Sequence, residues 1–113
     1  MLVDKNRSHF IEQNKIDEVL DSINIVDLIS GYINLKKAGV NHKGLCPFHS
    51  EKTPSFVVSE QKQMFHCFGC GTGGNAIKFY MDIERESWPE SVLDLAEKKG
   101  VIIEKHELSA EEQ

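Results

Sequence analysis

Two short cysteine and histidine motifs limit this chain more than any other feature. They are Cys46-Pro-Phe-His49 and Cys67-Phe-Gly-Cys70, with 17 residues between His49 and Cys67. Two residues between donors let a tight turn aim both side chains at one point, and a hairpin in the gap brings the two turns together. The gap falls in the range of about 15–20 residues found between paired zinc knuckles, here with one imidazole in place of a thiolate. All three cysteines of the chain are used, and an odd number cannot close into a complete disulfide framework. Three thiolates and a neutral imidazole suit one tetrahedral Zn(II), with Cys46, His49, Cys67 and Cys70 as ligands.

Such a zinc is structural. A catalytic zinc keeps a coordination position open for water, and four protein donors leave none. His49-Ser-Glu51 has the H-x-E spacing of the zinc deaminases but not its required context, because Cys67-Phe-Gly-Cys70 follows His66 and not a proline. Elsewhere there is no phosphate-binding lysine loop, no nucleophile with a paired base, and no compact carboxylate cluster in the middle of the chain. No catalytic residue is assigned.

Around the motifs, 113 residues with 40% hydrophobic and 27% charged content fit one folded domain. No apolar run approaches the ~20 residues of a membrane span. The segment MLVDKNRSHFIEQNKIDEVL has no basic stretch followed by an apolar one, so no secretory signal is expected. The expected setting is the cytoplasm, where thiols stay reduced, with no membrane partner.

The net charge of −5 hides an asymmetry. Between Tyr32 and Tyr80 there are six lysines and only two acids, Glu51 and Glu60, a net of +4. The excess of acid lies in the flanks.

Periodicity divides the chain into an α+β arrangement. Ile16, Val19, Leu20 and Ile23 repeat at helical spacing. Asn24 is placed to cap a second helix from Ile25 to about Ser30, with Gly31 as its stop. Tyr32–Lys37 and Val40–Leu45 alternate like strands about an Ala38-Gly39 turn. Ser55–Ser59 and Met64–Phe68 form a second pair around Glu60–Gln63. A small antiparallel sheet of about four strands is expected, with Phe56 and Val58 on one face and Val57 on the other. After Gly69–Gly74, Asn75 caps a helix over Ala76–Glu84, and Ser87-Trp-Pro-Glu90 opens another that runs to Gly100. Val101–Ile103 reads as a terminal strand. One domain over 1–103 is expected: helices from about 10 to 30, a zinc ribbon from about 32 to 74, and helices from about 75 to 100. Residues 104–113 read as an acidic tail or linker.

The motif block resembles a known family. Gly44-Leu-Cys-Pro-Phe-His-Ser-Glu-Lys-Thr-Pro-Ser-Phe56 and Phe65-His-Cys-Phe-Gly-Cys-Gly-Thr-Gly-Gly-Asn75 are similar to the N-terminal zinc-binding domain of bacterial replicative DNA primases. Ile25–Ile29 and Leu35–Gly39 also sit where that family has similar residues. The resemblance spans roughly Ile16 to Ile103, with His42 a departure at a position where the family often has an aromatic. It implies a zinc ribbon that helps the primase engage single-stranded template and supports RNA primer initiation by a separate polymerase domain. That domain is a nucleotidyltransferase with an acidic divalent-metal site, followed in the family by a helicase-binding domain. This chain holds neither, so it reads as a piece of a primase or as a stand-alone phage or mobile-element relative. In the second case it acts as a protein-interaction adaptor.

The residues support template binding in their own right. Cations follow phosphates and aromatic faces stack on bases. The candidates are Lys36, Lys37, Lys43, Phe48, Lys52, Lys62, Phe65 and His66. Phe56 and Phe68 are read as core residues at least as readily as contacts. The partners implied are single-stranded DNA, the primase polymerase domain and, through parts of the primase outside this chain, the replicative helicase, with the protein close to the nucleoid.

Overall fold

In a computed structural model, residues 11–103 are described. The expected tail over 104–113 and the first ten residues lie outside them. Helix α1 spans Gln13–Asp21 and buries Val19, with Ile16 and Leu20 packed against the core. Helix α2 spans Ile25–Ser30, and Asn24 caps it: Oδ1 accepts from the N–H groups of Val26 (2.9 Å) and Asp27 (3.2 Å). The other end of that amide donates to Glu60 Oε2 at 2.9 Å, and Ile25 N–H donates to Gln63 Oε1 at 2.8 Å. The start of α2 is thereby tied to the hairpin turn at 60–63.

Five antiparallel strands follow in simple meander order: β1 Lys36–Ala38, β2 Asn41–Gly44, β3 Phe56–Ser59, β4 Met64–Cys67 and β5 Gly73–Gly74. The first strand is shorter than its alternation predicts. The N–H groups of Tyr32 and Ile33 both donate to Ile29 C=O, so these residues finish α2 rather than open the sheet. The fifth strand falls in the glycine run, which reads as a loop. Its position depends on having no side chain, because a Cβ on Gly73 would stand 2.9 Å from Phe65 C=O.

Register fixes the two faces, since residues directly opposite share a face. His42, Val58, Phe65 and Gly74 form one inward row, and Gly44, Phe56 and Cys67 another. Phe56, Val58, Phe65 and Cys67 are all buried. Phe48, Phe56, Phe65 and Phe79 close over this face with ring centroids 5.3–6.5 Å apart.

Phe79 comes from helix α3, Ala76–Glu84, capped by Asn75 through Lys78 N–H at 3.0 Å. Helix α4, Trp88–Lys99, starts in a Ser87–Glu90 capping box and packs on α1 and α3 through Val92, Leu95 and Ala96. Gly100 ends it in the left-handed conformation, φ 73°. The terminal strand expected at Val101–Ile103 does not form. Val101 N–H is already used on Ala96 C=O at 2.8 Å, and the segment packs by side chain alone, with Val101 buried and Ile102 exposed.

Candidate metal centre and nucleic-acid interface

The two knuckles stand at neighbouring ends of the sheet. Cys46 lies two residues beyond the end of β2 and Cys67 ends β4. Between them, Phe68 N–H donates to Ser55 C=O at 2.8 Å, which carries the β3–β4 pairing into the second knuckle. That knuckle closes on itself, with Gly71 N–H on Cys67 C=O and Cys67 N–H on Thr72 C=O, both 2.8 Å. One donor atom each from Cys46, His49, Cys67 and Cys70 lies within 4.8 Å of the other three.

The donor set fits a soft divalent cation. Sulfurs ~2.3 Å from a tetrahedral zinc stand about 3.8 Å apart; Cys46 Sγ and Cys70 Sγ are 3.9 Å apart, far beyond a disulfide bond. Backbone N–H groups point at the sulfurs, Phe48 at Cys46 Sγ (3.4 Å) and Gly69 at Cys67 Sγ (3.3 Å). Burial pushes the Cys46 thiol up to about 12; the Phe48 N–H works against this, and the neighbouring sulfurs of Cys67 and Cys70 add to it. Burial acts the same way on Cys67, but hydrogen bonds from the Ser55 hydroxyl and the N–H groups of Cys70 and Gly69 outweigh it and bring that thiol to about 7. Three crowded sulfurs cannot all ionise without a cation among them. His49 Nδ1, buried and without a hydrogen-bond partner, presents the fourth lone pair.

One residue of this centre was not among the candidates. Glu51 lies beneath both knuckles with its side chain only 10% exposed. Its Oε2 accepts from Cys46 N–H (2.8 Å) and Ser55 N–H (3.2 Å), and its Oε1 meets the Ser55 hydroxyl and His49 Nε2 (3.1 Å). The Ser55 hydroxyl, with the Cys46 N–H next, holds the Glu51 carboxyl below the usual carboxylate range. Spacing gives no hint of this, because Glu51 reads as one of two stray acids in a basic region.

The opposite face of the sheet is open. Lys36, Lys43, Val57, His66 and Gly73 form a cross-strand row there, with Ala38, Asn41, Ser59 and Met64 as the next. Phe68 extends this face at 73% exposure, its ring edge-on to His66 with centroids 4.5 Å apart. Lys62 lines the same shallow groove as Val57, Met64, His66 and Phe68. At the β1 edge, Lys52 and Lys37 sit with Lys36 and Lys43 around a second groove of about 680 Å³, beside Leu45 and Pro54. Lys37 is opposite His42 and so belongs to the inward row and not to the outer face.

Two aromatic candidates are corrected. Phe65 is 3% exposed and has no free face for a base, and Phe48 is half-buried with its ring packed against Phe56, Phe65 and Phe79. The reason is parity. Cys67 points inward, so Phe65 points inward with it, while His66 and Phe68 point out. Phe68, half-assigned to the core, is the exposed ring, and a ligand at Cys67 was the signal that fixes its side. His42 lies in the inward row.

Fold and centre together define a zinc-ribbon domain, a sheet whose end is closed by four Cys and His donors. The sequence matches the CHC2 zinc finger family over residues 11–111, and the chain belongs to that family. It is 52% identical over 100 residues to a DNA primase of Geobacillus stearothermophilus, covering 88% of this chain and 17% of that protein. A DNA primase of Enterococcus faecalis is 55% identical over 87 residues, covering 77% of this chain and 14% of the relative. The chain thus spans less than a fifth of the length of either. The crystal structure of the Aquifex aeolicus primase, zinc-binding and RNA polymerase domains, matches with a TM-score of 0.74 at 53% identity. It covers 76% of this chain and 21% of that one. The family and the Cys/His cluster point to zinc. No helix among the described residues is long and apolar enough to cross a membrane.

Proposed function

We propose that this chain is the zinc-ribbon module of a bacterial DNA primase. One structural zinc, held by Cys46, His49, Cys67 and Cys70, keeps the sheet rigid. The outer face of the sheet engages single-stranded template and supports RNA primer initiation by a separate polymerase domain. The replicative helicase is met through other parts of the primase, and the setting is the cytoplasm, near the nucleoid. The domain covers residues 1–103, with 104–113 as an acidic tail or linker.

The observation that carries this reading is the make-up of the outer face. Lys36 and Lys43 stand in one row with His66, and exposed Phe68 packs against that imidazole. Cations placed beside an exposed aromatic pair are what a single strand requires: phosphates follow the lysines and bases stack on the rings. When bound, zinc supplies rigidity, since a ribbon of this size has little core of its own.

The test adds this domain in trans to a primase lacking it and counts primer starts on defined templates. The proposal expects starts to be restored, and Lys43→Ala to reduce them. In fluorescence anisotropy the logarithm of single-strand affinity should fall with the logarithm of salt, by about 0.7 for each phosphate contact. Salt-independent binding, or no effect on starts, would refute the template role and favour a protein-docking adaptor.

A further inference from the structure

Resting on the zinc ligands proposed above, we propose that Glu51 is a positioning residue of the metal centre. Its carboxylate accepts a hydrogen bond from His49 Nε2–H, which keeps the proton on that nitrogen, selects Nδ1 as the metal-binding nitrogen and locks the first knuckle to the second.

The geometry carries this in three ways. His49 Nε2 is 3.1 Å from Glu51 Oε1, whereas Nδ1 of the same ring is buried and has no protein partner. A neutral imidazole has one N–H and one lone pair. With the N–H on Nε2, the lone pair falls on Nδ1. Metal-bound histidines regularly give their second nitrogen to a carboxylate, which fixes both tautomer and ring orientation.

Glu51 also binds across the site. The same carboxylate takes the N–H of the first ligand, Cys46, and both the N–H and the hydroxyl of Ser55. Ser55 then touches the second knuckle twice: its hydroxyl is 3.5 Å from Cys67 Sγ, and its C=O accepts from Phe68 N–H. The three hydrogen bonds from Cys46 and Ser55 leave one of the roughly four acceptor positions of a carboxylate for His49 Nε2, 3.1 Å away.

Third, the second knuckle is shaped around this cluster. A Cβ built on Gly69 would stand 2.8 Å from Ser55 Oγ, 3.0 Å from His49 Nε2 and 3.1 Å from Glu51 Oε1. The backbone at Gly69 therefore lies directly on the Glu51–His49–Ser55 contact, and any side chain there would push it apart.

The experiment uses the full chain loaded with zinc. Zinc release to a chromophoric chelator is timed for wild type, Glu51→Gln and Glu51→Ala, with Glu97→Gln on the exposed face of α4 as control. Both Glu51 variants are expected to lose zinc affinity by about 10–100-fold, with the control unchanged. In parallel, ¹⁵N-histidine NMR of the wild type identifies which ring nitrogen of His49 binds metal and how fast the other exchanges its proton.

The expected result is metal on Nδ1 and a slowly exchanging Nε2–H. In Glu51→Gln that proton should exchange faster, an effect that mere support of the loop would not produce. Because Glu51→Ala can fail to fold, the wild-type spectrum decides alone if necessary. Metal on Nε2 would overturn the proposal, as would wild-type release and exchange rates in Glu51→Gln. Wild type without zinc would instead overturn the ligand assignment, and this proposal with it.

Discussion

At the scale of single residues, β4 shows how one donor sets the roles of its neighbours. Cys67 must face the knuckle, so alternation sends Phe65 inward and His66 and Phe68 outward. Two phenylalanines three positions apart therefore have opposite tasks. Phe65→Ala is expected to destabilise the zinc-loaded protein by about 3–5 kcal/mol through the cavity it leaves among Phe48, Phe56 and Phe79. Phe68→Ala should leave the melting temperature in place and cost about 1–3 kcal/mol of single-strand affinity. Thermal melts and anisotropy on the two variants separate these outcomes, and the reverse pattern would show that the faces had been assigned the wrong way round. The four donors were legible because two-residue spacings leave few alternatives for three cysteines and one well-placed histidine. Glu51 was not legible, since its partners meet only when both knuckles have folded. Nor was Phe48, which follows a ligand and a proline yet turns into the core.

At the scale of elements, caps and alternation were the readable part. Asn24, Asn75, Ser87 and Gly100 mark helix ends through local chemistry, and each acts where the sequence places it. Pairings that depend on distant partners were less visible. The glycine strand β5 exists because Gly73 can lie against the Phe65 carbonyl, and the strand expected at the C-terminal end is absent because α4 uses its first N–H. The join between α2 and the ribbon is also non-local. Asn24 caps the helix with its oxygen and reaches Glu60 with its nitrogen, while Gln63 holds Ile25 N–H from a left-handed backbone, φ 54°. Asn24→Ala should cost about 1 kcal/mol, near the usual value for a lost cap. Urea unfolding at fixed excess zinc measures it, with single-strand affinity expected to stay unchanged because Asn24 lies off the lysine row.

Across the whole molecule, charge and metal divide the work. The acidic helices and the basic sheet share one hydrophobic core, so the overall charge of −5 conceals a face able to attract a polyanion. Zinc binding in small domains can contribute ~10–16 kcal/mol, which exceeds the effect of any single packing change considered above. Everything therefore rests on a metal ion saturated by protein donors, and X-ray absorption at the zinc edge of the purified chain tests that most directly. The spectrum should show one zinc per chain with three sulfurs at about 2.3 Å and one nitrogen at about 2.0–2.1 Å. A bound oxygen in the first coordination sphere, or fewer than three sulfurs, would contradict the account.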